Sequence, residues 1–355
     1  PGAAARDRDH AFSTDALRGL AAAGLLGVNV DSAHGGRGAG AVAYALAVRE
    51  LAAACAGTTV GMMVTNMVAE AIEAFGDADQ KARHLPAITG GAHVTGAFSL
   101  SEPGSGSDAA SLRTVAVRDG DHYVLDGTKA WVTSGGHAGV YLVMAATDPA
   151  ARARGISAFL VEPGVAGFTA ARPEEKMGQR TSHTTELVFA GCRVPASWRL
   201  GPEGIGFKVA MRALDGGRIG VSAQACGIAT ASLAAATRHL AEAGEPGPAD
   251  SADRALLAEC ATELDAGWLL CLRAAVLKDE GRPFTREAAM SKLLCTEAAH
   301  RVCEGALQIL GADAYDRGDA ARRLRDVRVT RIYEGTSEIQ RIVIAREVLR
   351  ALQAG

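Results

Sequence analysis

The sequence predicts an α+β protein of three domains, in the order helices, β-domain, helix bundle. Its 355 residues are enough for several packed layers around a large core. Two changes of hydrophobic period mark the divisions, from helical spacing to alternation near residue 92 and back after residue 202. We therefore expect an N-terminal α-helical domain at 1–92, a middle antiparallel β-domain at 93–202 and a C-terminal four-helix bundle at 203–355.

Helical spacing dominates the first domain. "DALRGLAAAG" predicts a helix capped by Ser13 or Thr14 and ended by Gly24. "GAVAYALAVRELAAACAG" predicts a second helix that closes at Gly57, and "TTVGMMVTNMVAEAIEAFG" a third that begins at a threonine cap. "DADQKARHLPAIT" predicts a shorter helix that is bent or ended near Pro86.

Short apolar stretches with period two make up the middle domain. They are separated by glycine, aspartate and proline signals, and they read "HVTGAFSL", "RTVAVRDGDHYVLDGTKAWVT", "GVYLVMAAT", "ISAFLVEP" and "TTELVFAGCRVP". "RDGDHY" and "LDGTK" each contain the Asp-Gly pair that favours a two-residue hairpin turn. We expect a mainly antiparallel sheet.

Four long helices with short links are predicted for the C-terminal domain. The first begins near Gly206 and contains the unusual pair Gly216 and Gly217. Each glycine inside a helix costs about 1 kcal/mol relative to alanine, so we expect some group to approach this backbone closely. The last helix is expected to start with a capping box formed by Ser337 and Gln340.

Composition argues against several classes of function. The net charge of -3 gives no basic field for nucleic acid. Seven cysteines, an odd number without CxxC spacing, argue against a disulfide framework or a zinc site, so we expect no metal and a cytoplasmic location. The apolar stretches are amphipathic or broken by charge, so no membrane span is expected. "PGAAARDRDH" lacks the pattern of a signal peptide.

"FSLSEPGSGSD" (98–108) leaves a strand and enters a loop of small residues. The backbone N–H groups and the hydroxyls of Ser101, Ser105 and Ser107 are suited to an anion such as a pyrophosphate. A flexible surface loop is the alternative and is, for this segment alone, the more common case. The loop is neither a P-loop nor the GxGxxG of a βαβ unit.

Two other segments also have two interpretations each. In "KAWVTSGG", Trp131 and Thr133 are expected on one strand face, where the tryptophan either lies against a flat ring system or fills a core. In "ALDGGRIG", Asp215 and Arg218 either contact a ligand or form a local ion pair.

Glu334, in "TRIYEGTSEIQRIV", lies in a turn just before the last helix. A carboxylate in this position is usually solvated. A base at the mouth of a helix would instead lie near backbone N–H donors that polarise a carbonyl group. The residue taken alone leaves both interpretations open.

Together, the order, spacing and residues of these segments resemble those of the acyl-CoA dehydrogenase family. The resemblance runs from "LRGLAAAGLLGV" through "SEPGSGSD", "GTKAWVTSGG" and "GFKVAMRALDGGRIG" to "IYEGTSEIQR". It implies the same three-domain fold and FAD chemistry, in which a base removes the α-proton of an acyl thioester while the β-hydrogen leaves as hydride to flavin N5. It also implies an electron-transfer flavoprotein as electron acceptor and a homodimer or homotetramer.

The resemblance also assigns residues. Glu334 matches the base, whose apolar pocket is expected to raise its pKa toward neutrality and whose backbone N–H would hold the thioester oxygen together with a flavin ribityl hydroxyl. Some relatives place the base in the helix that here carries Gly216 and Gly217, neither of which can serve. The implied substrate contacts are Ser107, Asp215, Arg218 and Gly335. The implied flavin contacts are Phe98, Ser99, Leu100, Ser101, Gly106, Ser107, Trp131, Val132, Thr133, Gln308, Gly311, Thr336, Ser337 and Glu338.

Two segments depart from the family pattern. "HLAEAGEPGPADSADRALLAEC" lacks the Arg, Phe and Gln with which the family contacts the flavin of a neighbouring subunit. "QILGADAY" keeps Gln308 and Gly311 but loses the second glycine of the family's "QIxGGxGY". We therefore expect weaker flavin binding at the adenine end and a specialised relative.

The arginine-rich segment "DRGDAARRLRDVRVTR" has two interpretations. It is either a helix face whose arginines pair with Asp316, Asp319 and Asp326 or a docking patch for an acidic carrier protein or for phosphates. Two alternatives to an acyl-CoA dehydrogenase follow from these departures. One is the same chemistry on an acyl group attached to a carrier protein; the other is a flavin-poor protein that binds acyl thioesters without redox turnover.

Overall fold

The computed structural model describes residues 2–242, 250–316 and 318–354. The helices before the sheet are α1 (Ala3–Asp9), α2 (Thr14–Ala22), α3 (Gly40–Ala54), α4 (Ala56–Phe75) and α5 (Ala78–Thr89). The strands are β1 (Gly96–Ser99), β2 (Val115–Asp119), β3 (His122–Thr133), β4 (Val140–Ala146), β5 (Ile156–Val161), β6 (Phe168–Ala170) and β7 (Thr184–Pro195). The helices after it are α6 (Gly206–Glu242), α7 (Asp250–Asp279), α8 (Thr285–Leu310), α9 (Asp313–Asp316), α10 (Asp319–Val327) and α11 (Ser337–Ala354).

The predicted fold class is confirmed. The strands form one sheet in the order β1-β4-β2-β3-β7-β6, with β5 paired to β4. The β2–β3, β3–β7, β4–β5 and β6–β7 pairs are antiparallel, and β4 pairs in parallel with β1 and briefly with β2. The four long helices α6, α7, α8 and α11 form the C-terminal layer, with the short α9 and α10 between α8 and α11. Helix α10 agrees with the helical interpretation of the arginine-rich segment, whereas α9 was not predicted.

Strand β4 shows how the sheet joins two cores. Val140, Leu142 and Met144 point into the large core shared with the helices, while Tyr141 and Val143 point into the second core on the other face of the sheet. Side chains alternate across a strand, so a fully apolar strand is buried on both faces. The sheet is therefore packed against the helical layers on one side.

Helix α6 lies at the centre of the molecule, where it packs against α3, α4, α7 and α8. Among the helices of the described residues, α6 alone is long and apolar enough to cross a membrane, and most of that apolar stretch is buried inside the protein. Its apolarity is accounted for by this central position in the helical core.

Gly57 does not play the role that the sequence predicted. Gly57 does not close α3, because α3 ends at Ala54 and α4 already begins at Ala56. The residue between the two helices is Cys55, so α4 has no threonine cap. A Cβ atom at Gly57 would lie 2.2 Å from Thr181 Oγ1, which explains the glycine as a point of close approach between α4 and the β-domain. Pro86 likewise lies inside α5 without ending it.

Only one of the two predicted Asp-Gly hairpins forms. Gly120, with φ of 61°, turns the chain between β2 and β3, as predicted. The second hairpin is wrong, because Gly127 lies within β3 at a bulge in its pairing with β7. A Cβ atom at Gly127 would lie 2.7 Å from Thr114 Cα, so this glycine allows a close approach of two backbone segments.

Candidate active site

Glu334 lies in a tight turn immediately before α11. Its φ of 54° is in the left-handed region, which is uncommon for a residue with a side chain, and Gly335 follows with φ of 90°. The carbonyl oxygen of Gly335 accepts hydrogen bonds from Lys292 Nζ and from Gln340 Nε2, each at 2.8 Å. These contacts hold the strained turn in place from α8 and α11.

Tyr333 secures the same turn on its other side. Its hydroxyl donates to the side chain of Gln224 on α6 and accepts a hydrogen bond from Gln179 Nε2 at 3.2 Å. Gln224 in turn donates to the carbonyl oxygen of Ala56 at 3.0 Å, at the start of α4. The direction of Glu334 is therefore fixed by contacts with all three parts of the chain.

The carboxylate of Glu334 is enclosed by protein although the residue as a whole is only half-buried. Its Oε2 atom is buried and has no hydrogen-bond partner among the described residues. Burial raises the pKa of Glu334 from 4.5 to about 7, while the nearby charges of Lys292 and Arg218 act in the opposite direction. A carboxylate with such a pKa is matched to taking up a proton near neutral pH.

Gly217 on α6 makes room for this carboxylate. A Cβ atom at Gly217 would lie 2.1 Å from Glu334 Oε2, closer than any side chain permits. This contact accounts for one member of the glycine pair, for which the sequence predicted a close approach. The two positions at which the family resemblance places a base thus face each other across the same small space.

Lys292 is a site residue that the sequence did not reveal. It is fully buried on α8, and burial lowers its pKa to about 8, against the attraction of Glu334. The available signal was a lysine on an otherwise apolar helix face, beside Ala288, Ala289 and Cys295, all of which are buried. A buried lysine needs a partner, and here it has the Gly335 carbonyl oxygen and the nearby Glu334.

The predicted capping box at the start of α11 is wrong. The hydroxyl of Ser337 donates to Glu297 Oε1 at 2.7 Å, and the side chain of Gln340 reaches back to the turn rather than to a backbone N–H group. Thr336 is the capping residue, since its Oγ1 accepts a hydrogen bond from the backbone of Ile339 at 3.4 Å. Glu297 thus accepts the hydrogen bond of the Ser337 side chain, and the carbonyl oxygens of the turn accept those of the Gln340 side chain.

Trp131 lies at a second strained point, in a bulge of β3. Its φ is 60° and its side chain is 66% exposed, which is unusual for a tryptophan and inconsistent with the core interpretation. Val132 is buried and Thr133 half-buried beside it. The register of β3 with β7 shifts between Lys129 and Val132, which turns the indole outward.

The segment at 98–107 is tied to β3 by a buried ion pair. Lys129 Nζ donates to the carbonyl oxygen of Leu100 at 3.1 Å and to Glu102 Oε1 at 2.8 Å. Glu102 also accepts hydrogen bonds from the backbone of Arg113 at 2.6 Å and Thr114 at 2.9 Å. Burial lowers the pKa of Lys129 to about 8, although Glu102 opposes the change.

The start of this segment is largely enclosed, and its end is open. Phe98 is half-buried, Ser99 is buried, and Ser101 accepts a backbone hydrogen bond from Ala130 through its carbonyl oxygen. Gly106 and Ser107 are exposed, with open space at the glycine. Ser105 departs from the expectation, because its hydroxyl donates to the Asp108 carbonyl oxygen at 2.7 Å and is thus occupied within the loop.

These features fit a flavin. The exposed indole of Trp131 offers a flat apolar surface, and the loop leaves open space around Gly104 and Gly106. The buried hydroxyls of Ser99, Ser134 and Thr185 have no hydrogen-bond partner among the described residues. Buried polar groups are almost always paired in folded proteins, so unpaired hydroxyls around an exposed tryptophan point to a polar ligand.

The predicted flavin contacts do not all lie together. Thr336 and Ser337 are part of the turn beside Glu334, and Glu338 is exposed at the start of α11. Gln308 and Gly311 are exposed at the far end of α8, 16 residues and so ~24 Å beyond Lys292 along the helix. These two residues therefore lie far along α8 from the turn that holds Glu334.

Asp215 and Arg218 are paired with each other. Arg218 Nη1 donates to Asp215 Oδ1 at 2.6 Å, and Thr285 Oγ1 donates to Asp215 Oδ2 at 2.8 Å. Burial raises the pKa of Asp215, while Arg218 opposes the change. The local ion pair is therefore present, and the largely buried Arg218 also lies close enough to Glu334 to lower its pKa.

A cavity of about 800 Å³ adjoins the base. It lies between α3, α4, α6 and the end of α7, and Gly217 forms part of its wall. Tyr44, Met67 and Ala71 give it an apolar section, while Glu70 and Lys278 give it a charged one. Gly217 therefore borders both the cavity and the carboxylate of Glu334.

The arginine-rich segment is mostly ion-paired. Arg322 pairs with Asp319 and Asp326, and Arg323 with Asp319. Arg325 and Arg331 pair with Asp7 and Glu297. Arg317 and the side chain of Asp316 lie outside the described residues, as do 243–249 of the segment that departs from the family pattern.

Metal ligation has no support in the part of the chain that the structure describes, where no group of three or more His, Cys, Asp or Glu residues is placed to hold an ion. The seven cysteines are buried free thiols.

Comparison with known proteins gives matches over the full chain. Models of the acyl-CoA dehydrogenase N-terminal, middle and C-terminal domains match residues 1–92, 97–192 and 204–349. The mitochondrial short-chain specific acyl-CoA dehydrogenase of Mus musculus is 44% identical over 359 residues, covering 100% of this chain and 87% of that protein.

Solved structures are similarly close. Butyryl-CoA dehydrogenase from Megasphaera elsdenii is 39% identical, with a TM-score of 0.94 over 98% of this chain and 93% of that one. A chain of the electron transferring flavoprotein structure from Acidaminococcus fermentans is 41% identical, with a TM-score of 0.95 over 99% and 93%. A prolyl acyl carrier protein oxidase is 30% identical, with a TM-score of 0.92 over 97% and 92%.

Proposed function

The chain belongs to the acyl-CoA dehydrogenase family, and on that premise we propose that Glu334 is its catalytic base. Members are FAD-dependent oxidoreductases that convert an acyl thioester to its trans-2-enoyl form. The observation that carries the proposal is the buried, unpaired Oε2 atom of Glu334, whose pKa burial raises to about 7. Such a group is ionised enough to accept the α-proton and basic enough to hold it.

The turn around Glu334 would also bind the thioester oxygen. The backbone N–H of Glu334 makes no hydrogen bond within the described residues, and α11 begins three residues later. A free N–H donor near the positive end of a helix stabilises the negative charge that develops on the oxygen when the α-proton leaves. Lys292 acts through the turn, because its bond to the Gly335 carbonyl oxygen positions both groups.

The flavin would be held by three segments of the chain. We propose Trp131, Val132 and Thr133 against the ring system, Phe98 to Ser101 with Gly106 and Ser107 along the cofactor, and Thr336 to Glu338 at the turn. When bound, the flavin accepts the β-hydrogen as hydride while Glu334 takes the α-proton, so two electrons leave the substrate and a double bond forms. Gln308 and Gly311 would serve the flavin of a neighbouring subunit, since they lie at the far end of α8.

The substrate proposed is a short acyl group on coenzyme A, with Ser107, Asp215, Arg218 and Gly335 along its path. The similarity to short-chain specific and butyryl-CoA dehydrogenases supports this choice. Similarity to a prolyl acyl carrier protein oxidase favours the carrier-bound alternative. The arginine-rich segment does not strengthen that alternative, because Arg322, Arg323, Arg325 and Arg331 already have acidic partners. An FAD-dependent family membership speaks against a flavin-poor binding protein.

We propose an electron-transfer flavoprotein as the electron acceptor, supported by the similarity to the chain from Acidaminococcus fermentans. A homodimer or homotetramer is supported by exposed apolar side chains on α11, including Ile342, Leu349 and Leu352, and by an apolar groove between α7, α8 and α11. Free buried thiols support a reducing cytoplasm. Breaks between elements at 90–95 and 196–205 support the domain divisions at 92/93 and 202/203.

Anaerobic bleaching of the flavin by butyryl-CoA tests this function. Glu334→Gln should retain flavin yet reduce the bleaching rate by at least the roughly 10²- to 10⁴-fold assigned to general-base catalysis. The matched control is Glu50→Gln, an exposed glutamate on α3, which should bleach like the wild type. Bleaching of Glu334→Gln at the control rate would remove the assignment of the base.

A further inference from the structure

Gly216, the second member of the glycine pair, faces a different charged group from Gly217. A Cβ atom at Gly216 would lie 3.1 Å from Lys278 Nζ and 3.9 Å from Glu70 Oε2. The ammonium group thus lies over the α6 backbone inside the cavity that adjoins Glu334. An apolar acyl chain gives no reason to place a lysine there.

The lysine belongs to a small polar cluster at this end of the cavity, which we call the Lys278 cluster: Asn29, Glu70 and Lys278. Lys278 Nζ donates to Glu70 Oε2 at 2.6 Å, and Asn29 Nδ2 donates to Glu70 Oε1 at 2.7 Å. Both charged side chains are mostly enclosed, at 22% and 28% exposure. Removing two charges from water is costly, so the cluster is not explained by stability alone.

The Lys278 cluster has unused hydrogen-bonding capacity. An ammonium group has three donors, and Lys278 uses one of them on a side chain of the described residues. Asn29 Oδ1 is buried without a hydrogen-bond partner among those residues. A buried acceptor without a partner, beside an ammonium with spare donors, is a feature that a bound polar group would complete.

Tyr44 connects the cluster to the base. Tyr44 lines the cavity together with Glu70 and Gly217, and its pKa is raised by burial first and then by the charges of Glu70 and Glu334. Tyr44, Met67 and Ala71 line the cavity between them. A chain whose α-carbon lies at Glu334 therefore passes an apolar section before it meets Lys278.

The charges of Lys278 and Glu70 favour a neutral ligand group at their end of the cavity. Glu70 neutralises Lys278 directly. Asp279, next in sequence, accepts hydrogen bonds from the backbone of Ala41 and Val42 at the start of α3, so it does not compete for Lys278. A carboxylate in the ligand would be repelled by Glu70, whereas a hydroxyl can donate to Glu70 and accept from Lys278.

We propose that the Lys278 cluster binds a neutral hydrogen-bonding group, such as a hydroxyl, at the distal end of the acyl chain. The preferred substrates are then short acyl thioesters that are hydroxylated at that end rather than plain fatty acyl thioesters. This inference rests on the proposed function, because it places the thioester end of the substrate at Glu334.

Binding of 3-thia-acyl-CoA analogues tests the inference without turnover. In these analogues sulfur replaces the β-methylene, so no β-hydrogen can leave. Calorimetric Kd values are compared between ω-hydroxy analogues and their methyl-terminated isosteres at three successive chain lengths. A hydrogen bond to a charged group predicts about ten- to a hundredfold tighter binding of the hydroxy analogue at one chain length.

Variants locate the effect. Lys278→Met and Glu70→Gln should each lose most of the hydroxyl preference while keeping flavin, even where loss of the ion pair lowers thermal stability. Lys208→Met is the matched control, since Lys208 is an exposed lysine on the cavity wall without a bond to Glu70, and it should keep the preference. If Lys208→Met loses the preference equally, the effect is one of general charge and the cluster assignment fails.

The remaining outcomes separate this inference from the function on which it rests. Equal or tighter binding of every methyl-terminated analogue, with butyryl-CoA still bleaching the flavin, overturns the inference and leaves the function. If a carboxylate-terminated analogue binds most tightly, the proposal that the cluster binds a neutral group is wrong. No binding of any analogue and no bleaching would remove the proposed function itself.

Discussion

Replacing Glu334 by glutamine should stabilise the protein at high pH but not at low pH. Burial raises the pKa of Glu334 from 4.5 to about 7, a difference of about 2.5 units. At 1.36 kcal/mol per unit, holding the ionised carboxylate in this pocket costs about 3 kcal/mol of unfolding free energy. Glutamine has the same shape without the charge.

The sign follows from proton binding. Because the folded state binds the proton more tightly than the unfolded state, stability is highest below pH 4.5 and falls as the pH rises through about 7. Above that pH the full cost is present. The wild type should therefore lose about 3 kcal/mol relative to Glu334→Gln between about pH 4 and pH 8, and the difference should stay constant beyond.

Urea titrations of both proteins at several pH values measure this difference. The same ionisation should appear in wild-type kcat/KM, which is expected to fall about tenfold per pH unit below pH 7 because only the ionised base accepts the α-proton. A stability difference that does not change between pH 5 and pH 8 would refute the argument that burial sets this pKa. If the wild type instead gained stability relative to Glu334→Gln as the pH rises, the ionised carboxylate would be stabilised by its neighbours.

Three further experiments test the surroundings of the base and the flavin loop. Lys292→Met removes a charge that lowers the pKa of Glu334, so the acidic limb of the kcat/KM profile should move to higher pH. Lys129→Met leaves a buried carboxylate unpaired, so unfolding free energy should fall by about 3–5 kcal/mol and flavin should be lost on dialysis, read by absorbance. Glu334→Gly should abolish bleaching by butyryl-CoA, and adding Gly217→Glu should restore part of it, because a carboxylate at 217 reaches the same space; no recovery in a folded, flavin-loaded double variant would contradict that placement.

The sequence predicted the layers of the fold well because they depend on local periodicity. The change from helical spacing to alternation and back corresponds to α5, β1, β7 and α6 as observed. Two errors in the fold concerned glycines. Gly57 and Gly127 look like punctuation in the sequence but lie inside an element, at points where a distant segment comes close. Such contacts join residues far apart in the chain, so no local signal reports them.

In the candidate active site, too, contacts between residues far apart in the chain could not be predicted from the sequence. Glu334 and Trp131 were predicted as site residues from the resemblance to the family, and the structure shows that both have a positive φ, which is uncommon for a residue with a side chain. Lys292 and Lys278 were missed, since a lysine on a helix usually extends into solvent. What makes each distinctive is its partner, the Gly335 carbonyl oxygen in one case and Glu70 in the other, and both partners come from other parts of the chain.

The glycine pair on α6 links the two ends of the proposed substrate site. Two adjacent glycines in a helix interior cost about 2 kcal/mol relative to alanine, at about 1 kcal/mol each, and no turn or positive φ requires them here. Gly217 makes room for the carboxylate of Glu334, and Gly216 makes room for the ammonium of Lys278. The same stretch of bare backbone therefore borders the point where the α-proton leaves and the point where the acyl chain would end. A Cβ atom at Gly216 would lie 3.1 Å from Lys278 Nζ, so alanine there would shift the ammonium group by only a few tenths of an ångström, whereas a larger side chain would displace it from Glu70 and shorten the cavity. The proposed chemistry and the proposed specificity thus both depend on the small size of these two adjacent residues.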